Sequence, residues 1–236
     1  FVLMFNESLH DFVVRGGAHY DVPPSKIRKM LSWEIMLLRE HGVAFDDIQD
    51  QGLLEKRKAL AEKVLMLIDE NPNLNNHIKC LLVDEVQDCI PEEVEVFRRC
   101  AENVCFAGDD RQRIFSPRSV IPDLERRTKT IKIKTHYRIG HEICRAADAI
   151  GKAAGMTPIE ENCNYKDATS KVQFISCQDD EEQVERIIEA LTIQLTAYPE
   201  ELLAVAAPRK VDRDLLRERL EASSLPALRC ESIKGD

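Results

Sequence analysis

The segment LLVDEVQDC, residues 81–89, carries an apolar run directly into the adjacent carboxylates Asp84 and Glu85. Asp and Glu are weak strand formers, and neighbouring carboxylates repel each other, so core packing gives no reason for this pair. The two acids must meet a cation, take part in proton chemistry or stay exposed to water. A second apolar run, NVCFAGDD at residues 103–110, also ends in acids.

Segments with the apolar pattern of strands alternate with segments of helical period along the rest of the chain. Strands are predicted at residues 1–5, 80–83, 103–108, 130–134, 171–177 and 201–208. Helices are predicted from Asn6, from Ser25 to Gly42, and at residues 53–70, 91–100, 141–155, 179–195 and 211–224. Such alternation predicts βαβ units around parallel sheets.

The alternating pattern restarts near residue 130, after the loop SPRSVIPDLERR. The prediction is therefore an α/β fold with two parallel-sheet lobes, residues 1–130 and 131–236. The first lobe would carry a small helical insertion at about residues 25–75.

Composition is that of a globular protein without a membrane span. The chain has 236 residues, of which 44% are hydrophobic and 32% charged, and no apolar stretch approaches the roughly 18 residues of a membrane helix. The start, FVLMFNESLHDF, lacks the features of a signal peptide and an initiator Met, so the sequence is expected to begin inside a longer protein. The formal charge of −9 means that any nucleic-acid contact would need a local groove.

The eight cysteines form no CxxC pair. Four of them, Cys80, Cys105, Cys144 and Cys177, lie in apolar runs. This placement favours buried, reduced thiols and a cytoplasmic protein over disulfides or zinc.

Ligands of open parallel sheets bind beyond the carboxyl ends of the strands, where both acidic clusters would lie. Asp84 could hold a magnesium ion, and Glu85 could accept a proton from an attacking water. Gln112 could reach the same ligand from the neighbouring strand. These are parts that phosphoryl transfer requires. The alternative is that the acids only begin loops and cap helices.

Three segments in this order, VDEVQD at 83–88, GDDRQRIF at 108–115 and HYRIGHEI at 136–143, resemble successive motifs of superfamily-one DNA helicases of the UvrD/Rep type. The stretches FVLMFNESL, LSWEIMLLREHG and LLAVAAPRK also resemble family segments, so the likeness covers most of the chain. It implies two RecA-like lobes of a P-loop NTPase helicase core, both incomplete here.

The resemblance implies a role for each matching residue. Asp84 would bind Mg²⁺, Glu85 would be the catalytic base for ATP hydrolysis, and Gln112 would sense the γ-phosphate. Tyr137 would stack on adenine, and Arg138 would reach the γ-phosphate from the second lobe as an arginine finger. The alternatives are ordinary packing for Tyr137 and a surface salt bridge for Arg138.

The resemblance also assigns Asp109 to the nucleotide site, and Phe5, Asn6 and Phe115 to contacts with single-stranded DNA. Burial at the end of a strand is the alternative for Phe5. Trp33, the only Trp, is interpreted as a packing residue.

Several positions depart from the family pattern. No GxxxxGK[ST] phosphate loop occurs, Pro117 stands where an aromatic residue is common, and Lys29 and Leu31 stand near where the family has Thr and His. The final segment, ESIKGD, resembles a late motif only faintly, leaving open whether residues 232–236 belong to it.

The sequence thus predicts the motor core of an ATP-dependent DNA helicase or translocase, of a kind typical of DNA repair. Its ligands would be ATP, Mg²⁺ and single-stranded DNA or DNA junctions, and the chain alone is expected to be inactive. One alternative is a helicase-like module that binds nucleic acid or protein without hydrolysing ATP. A magnesium-dependent nuclease ranks last, because the further acids and Lys of such a site are missing.

Overall fold

The structure, a computed structural model, describes residues 1–5, 7–48, 51–166, 170–198, 203–207 and 209–223. The chain divides into two compact units, Phe1–Ile133 and a second that begins at Lys134. Among the described helices, none combines the length and apolar character needed to cross a membrane.

The first unit contains a four-stranded sheet whose strands are all parallel, in the order β2-β1-β3-β4. The strands are β1 (Val2–Met4), β2 (Ile27–Lys29), β3 (Ile78–Val83) and β4 (Ala101–Phe106). β1 is central, since Val2 pairs with Ile27 on one side and with Leu82 on the other. The predicted α/β class with a parallel sheet is confirmed.

Five described helices accompany this sheet: α1 (Glu7–Gly17), α2 (Met30–Glu40), α3 (Leu53–Glu70), α4 (Pro91–Cys100) and α5 (Ile121–Arg127). The apolar face predicted for residues 53–70 is confirmed, because Leu60, Val64 and Ile68 have no exposed surface. Trp33 is 1% exposed, with its ring centroid 5.9 Å from that of Phe97, so it is a packing residue.

The helix predicted to start at Ser25 starts at Met30 instead. Ile27, placed on the helical stripe by its spacing, belongs to β2 and pairs with Val2. A strand edge that offers backbone hydrogen bonds overrides a short stretch of helical period. The predicted end is confirmed, since Gly42 follows the helix with a φ of 70°.

The second unit contains three described helices, α6 (His141–Ala153), α7 (Asp180–Ala197) and α8 (Lys210–Ala222). The Asp179 side chain caps α7 by accepting a hydrogen bond from the Glu182 N–H at 2.8 Å. Leu191 is buried on the predicted inward face of α7.

The strands predicted at residues 130–134 and 171–177 are wrong, and residues 203–207 of the third predicted strand are not in a strand either. Ile131 and Ile133 are 82% and 89% exposed. Alternation of apolar residues specifies a face but supplies no pairing partner, and an unpaired strand is not stable. Within the described residues, a second parallel sheet is therefore not seen.

Burial of the cysteines follows the prediction only in part. All seven described cysteines are free thiols, and Cys144 is buried while Cys177 is half-buried. Cys80 and Cys105 are exposed, contrary to prediction. They lie on β3 and β4 on the face that also exposes Leu82, so their apolar neighbours in sequence point to the other face of the sheet.

Candidate functional site

The carboxyl ends of β3 and β4 lie side by side at one edge of the sheet. Val83 pairs with Phe106, the last residue of β4. The Asp84 N–H donates to the Leu3 carbonyl at 3.0 Å, and the Ala107 N–H donates to the Val83 carbonyl at 2.8 Å. The residues that follow the two strands therefore leave the sheet together.

Glu85 turns the chain sharply at this edge. Its φ of 56° and ψ of 37° lie in the left-handed region, which costs a side-chain-bearing residue roughly 1–2 kcal/mol. The Glu85 N–H donates to Asp84 Oδ1 at 2.9 Å, and the Val86 N–H donates to the Ala107 carbonyl at 3.0 Å. Strained backbone of this kind concentrates at functional sites, which makes the half-buried pair Asp84 and Glu85 a candidate.

Gln87, for which the sequence suggested no role, joins the two strand ends. It is 1% exposed, its amide nitrogen donates to the Glu85 carboxylate, and its Oε1 accepts a hydrogen bond from the Asp109 N–H at 3.0 Å. A Cβ at Gly108 would lie 2.6 Å from Gln87 Oε1. Only Gly allows the chain after β4 to approach this amide so closely.

The Asp109 carboxylate extends this series of hydrogen bonds to Gln112. Its carboxylate accepts hydrogen bonds from the Arg111 backbone and guanidinium at 3.1 Å and from Gln112 Nε2 at 3.3 Å. Burial opposes ionisation of Asp109, but these hydrogen bonds outweigh it and lower its pKa below the ordinary value. Glu85, Gln87, Asp109 and Gln112 are thus hydrogen-bonded in series along the edge, with the link between Gln87 and Asp109 running through the Asp109 backbone N–H. These four residues are called here the edge network.

Asp88 holds the loop that follows the edge network. Its Oδ1 accepts hydrogen bonds from the backbone N–H groups of Ile114 and Phe115, at 2.9 and 2.8 Å. The Asp88 carbonyl accepts one from Arg57 Nη2 at 2.7 Å. Asp88 is 5% exposed, and its Oδ1 fixes the start of this loop.

The two Phe residues predicted to contact DNA touch each other. The rings of Phe5 and Phe115 stack with centroids 4.8 Å apart and planes 27° apart. The Arg57 guanidinium lies over the Phe5 ring at 4.8 Å, so Phe5 already stacks within the protein. Asn6, the third residue of this prediction, lies outside the described residues.

Arg57 is fixed by a buried ion pair that the sequence did not reveal. Its Nε and Nη2 donate to the two oxygens of Glu93 at 2.8 and 2.6 Å, and both residues are about 2% exposed. The available signal was a basic residue on the apolar face of α3, three positions before Leu60.

Tyr137 and Arg138 belong to the second unit, in the loop before α6. Tyr137 is 61% exposed, so it is not a core residue. Arg138 is exposed and makes no ion pair with any residue that the structure describes. Neither alternative raised for these two residues is therefore observed in the described part of the chain.

A scan against models of known protein families finds no match, and a search of curated proteins finds no significant match.

Proposed function

We propose that this chain is the motor core of an ATP-dependent DNA helicase or translocase of the UvrD/Rep type, built on two RecA-like lobes. The observation that supports this most is the edge network. It gathers a base, an acid and an amide at the carboxyl edge of a parallel sheet, where nucleotides bind in such folds.

The residues at the edge suit Mg²⁺. Asp84 is half-buried. One of its carboxylate oxygens accepts a hydrogen bond from the Glu85 N–H, and the other makes no hydrogen bond with the described residues. Carboxylate oxygens are the ligands that Mg²⁺ prefers, so Asp84 would hold the ion. When bound, ATP supplies the phosphoryl group, and Mg²⁺ supplies the positive charge that stabilises its transfer.

Two members of the edge network would act on the reacting groups. Glu85 would accept the proton of the attacking water, with its carboxylate held in place by the Gln87 amide. Gln112 is exposed, and its side chain is tied to the network by one weak hydrogen bond of 3.3 Å, so its amide could turn toward a terminal phosphate. In the second unit, Tyr137 would stack on adenine and Arg138 would stabilise the transition-state charge.

Single-stranded DNA would be held at the stacked pair of Phe5 and Phe115, together with Asn6. Stacking of a base on an aromatic side chain contributes about 1–3 kcal/mol and tolerates any sequence. With a net charge of −9, the protein would depend on such local contacts more than on general attraction to phosphate.

The test is the substitution Glu85→Gln in the full-length protein. ATP binding, measured with a fluorescent analogue, should stay within about twofold, while DNA-stimulated hydrolysis should fall about 10²–10⁴-fold, the usual contribution of a general base. Glu102→Gln is the matched control, because it removes the same charge at the amino end of β4. ATP turnover that survives Glu85→Gln, or an equal loss in the control, would contradict the assignment.

A helicase-like module without hydrolysis is the second candidate. The 236 residues contain no GxxxxGK[ST] loop, and both candidates are compatible with that. The coding sequence upstream of Phe1 decides between the two candidates. If the full protein has no glycine-rich loop ending in Lys-Ser or Lys-Thr, the motor proposal fails and DNA or protein binding independent of ATP is expected.

A further inference from the structure

Three side chains of the second unit have the spacing of metal ligands. His136, Cys144 and Cys163 place one ligand atom each within 4.8 Å of one another, and Cys144 Sγ lies 3.8 Å from His136 Nε2. In a tetrahedral zinc site with bonds of about 2.3 Å to sulfur and 2.0–2.1 Å to nitrogen, the ligand atoms lie roughly 3.6–3.8 Å apart. Little movement would bring the three groups to bonding distance.

The backbone holds the three residues in place from separate segments. His136 and Cys163 form a parallel bridge, in which the His136 N–H donates to the Asn162 carbonyl at 3.1 Å. Cys144 lies in the first turn of α6, where its N–H donates to the Gly140 carbonyl at 3.0 Å. Both thiols donate to the Ile139 carbonyl, at 3.1 Å from Cys163 and 3.7 Å from Cys144.

The imidazole of His136 is left incompletely paired. Its Nε2 lies 3.0 Å from the Ile159 carbonyl, and its Nδ1 is buried with no hydrogen-bond partner among the described residues. A neutral ring has one donor and one acceptor nitrogen, and buried polar atoms are normally paired. Nε2 is also the nitrogen that lies 3.8 Å from Cys144 Sγ, so it would be the zinc ligand in place of its contact with the Ile159 carbonyl, and the ring proton would lie on Nδ1.

We propose that His136, Cys144 and Cys163 bind a zinc ion, or a divalent cation of similar softness, through one imidazole and two thiolates. Three protein ligands leave a fourth position open to water or to a further ligand. Cys144 is buried and Cys163 half-buried, so the open position would lie on the Cys163 side of the site. Asp148 and Glu160 are near Cys144, and their negative charge favours a bound cation.

The ion would fix both ends of the loop that carries Tyr137 and Arg138, because His136 precedes these residues and Cys144 follows them. This consequence for nucleotide contacts rests on the proposed function. The metal site itself does not, since it depends only on the three ligands.

The test uses the full-length reduced protein carrying Cys80→Ser and Cys105→Ser, which removes two exposed thiols that could bind metal weakly. Co²⁺ should bind at one equivalent with a sulfur-to-cobalt charge-transfer band. Zn²⁺ affinity, measured by competition with a chromophoric chelator, should fall about 100-fold or more in Cys144→Ser, Cys163→Ser or His136→Gln, at least the loss known for second-shell changes. Cys163→His keeps a zinc ligand and should retain binding, which separates ligation from folding.

Cys177→Ser, at a half-buried thiol of the same unit, is the control and should bind Zn²⁺ unchanged. Absence of the cobalt band, an equal loss in the control, or full affinity in Cys144→Ser would overturn the proposal. Glu85→Gln should leave Zn²⁺ binding unchanged, so failure of the motor proposal and failure of the metal site remain distinguishable.

Discussion

Gln87 shows how one buried amide can organise a site made of two strand ends. Its amide nitrogen donates a hydrogen bond to the Glu85 carboxylate, and its amide oxygen accepts one from the Asp109 N–H. An apolar side chain of the same size would leave that part-buried N–H without its partner, and a fully buried unpaired group costs about 1–3 kcal/mol. The amide thereby fixes the position of Glu85 relative to the chain that follows β4.

Glu34 is the most unusual titratable residue of the first unit. It has no exposed surface, and neither carboxylate oxygen has a hydrogen-bond partner among the described residues. Burial, together with the nearby charge of Glu93, raises the pKa of Glu34 well above 4.5, and the charge of Arg57 offsets only part of this effect. Glu34 is therefore a carboxyl group that the folded protein keeps protonated beyond its ordinary range.

The raised pKa of Glu34 predicts a pH dependence of stability. Above pH 4.5 the unfolded chain releases this proton while the folded protein keeps it, so the free energy of unfolding should fall as pH rises, by up to about 1.4 kcal/mol per pH unit. Urea unfolding of the wild type and of Glu34→Gln between pH 5 and 8 measures this slope. The variant should lose this component of the decline. Parallel curves would show that Glu34 is ionised in the folded protein.

At the scale of elements, the sheet is covered unevenly. Leu81 and Val83 of β3 are buried, whereas Cys80 and Leu82 on its other face are exposed, and so is Cys105 of β4. Parallel sheets are usually covered on both faces. The exposed face therefore carries two accessible thiols, Cys80 and Cys105, although the apolar residues next to them in the sequence predicted that they would be buried.

This face predicts a pattern of thiol reactivity. Iodoacetamide at pH 7.5 should modify Cys80 and Cys105 at least about tenfold faster than Cys89 and Cys100, because reaction needs an accessible thiolate. Burial raises the pKa of Cys100 to about 12 and raises that of Cys89 as well. Peptide mass spectrometry after timed quenching gives the rates, and the unfolded protein provides the control in which all react. Equal rates in the folded state would contradict the exposed face.

The elements that the sequence predicted best are those specified by their own residues. α3 and α4 have apolar stripes of helical period, and Pro91 stands at the first position of α4. The predicted start of α2 was wrong because Ile27 pairs with Val2 of β1. The local sequence around Ile27 contains no signal of that pairing. The same limit applies to residues 130–134, where an alternating pattern has no strand partner.

The candidate site divides in the same way. Acids at strand ends were visible because Asp84 and Asp109 break apolar runs, and parallel strands bring such ends to one edge. The roles of Gln87 and Arg57 could not be predicted from the sequence, because their partners, Asp109 and Glu93, lie 22 and 36 residues away. A hydrogen bond over that separation depends on the fold and leaves no periodic signal.

At the scale of the whole molecule, residues 128–135 join the two units without a helix or strand. Lys129, Lys132 and Lys134 lie in this exposed segment. Extended, exposed chain is the preferred substrate of proteases. Proteolysis should therefore cut the chain between the two units most readily in this joining segment, residues 128–135.

Limited trypsin digestion of the full-length protein should cut after Lys129, Lys132 or Lys134 among the earliest sites. Lys79 provides an internal control, because its side chain is 83% exposed but its backbone belongs to β3. Mass spectrometry of the early fragments identifies the cuts, and Gln at the three joining positions should abolish them. Cleavage after Lys79 before the joining segment is cut would contradict the assigned β3 strand.

The central position of β1 has a consequence for synthesis on the ribosome. Val2 pairs with Leu82, so this interior strand must wait for 80 further residues before its β3 partner exists. At elongation rates of 5–20 residues per second this delay is about 4–16 s. During that interval the apolar segment FVLMF is a nascent peptide with an unsatisfied edge, and a chaperone that binds short hydrophobic stretches would find a target there.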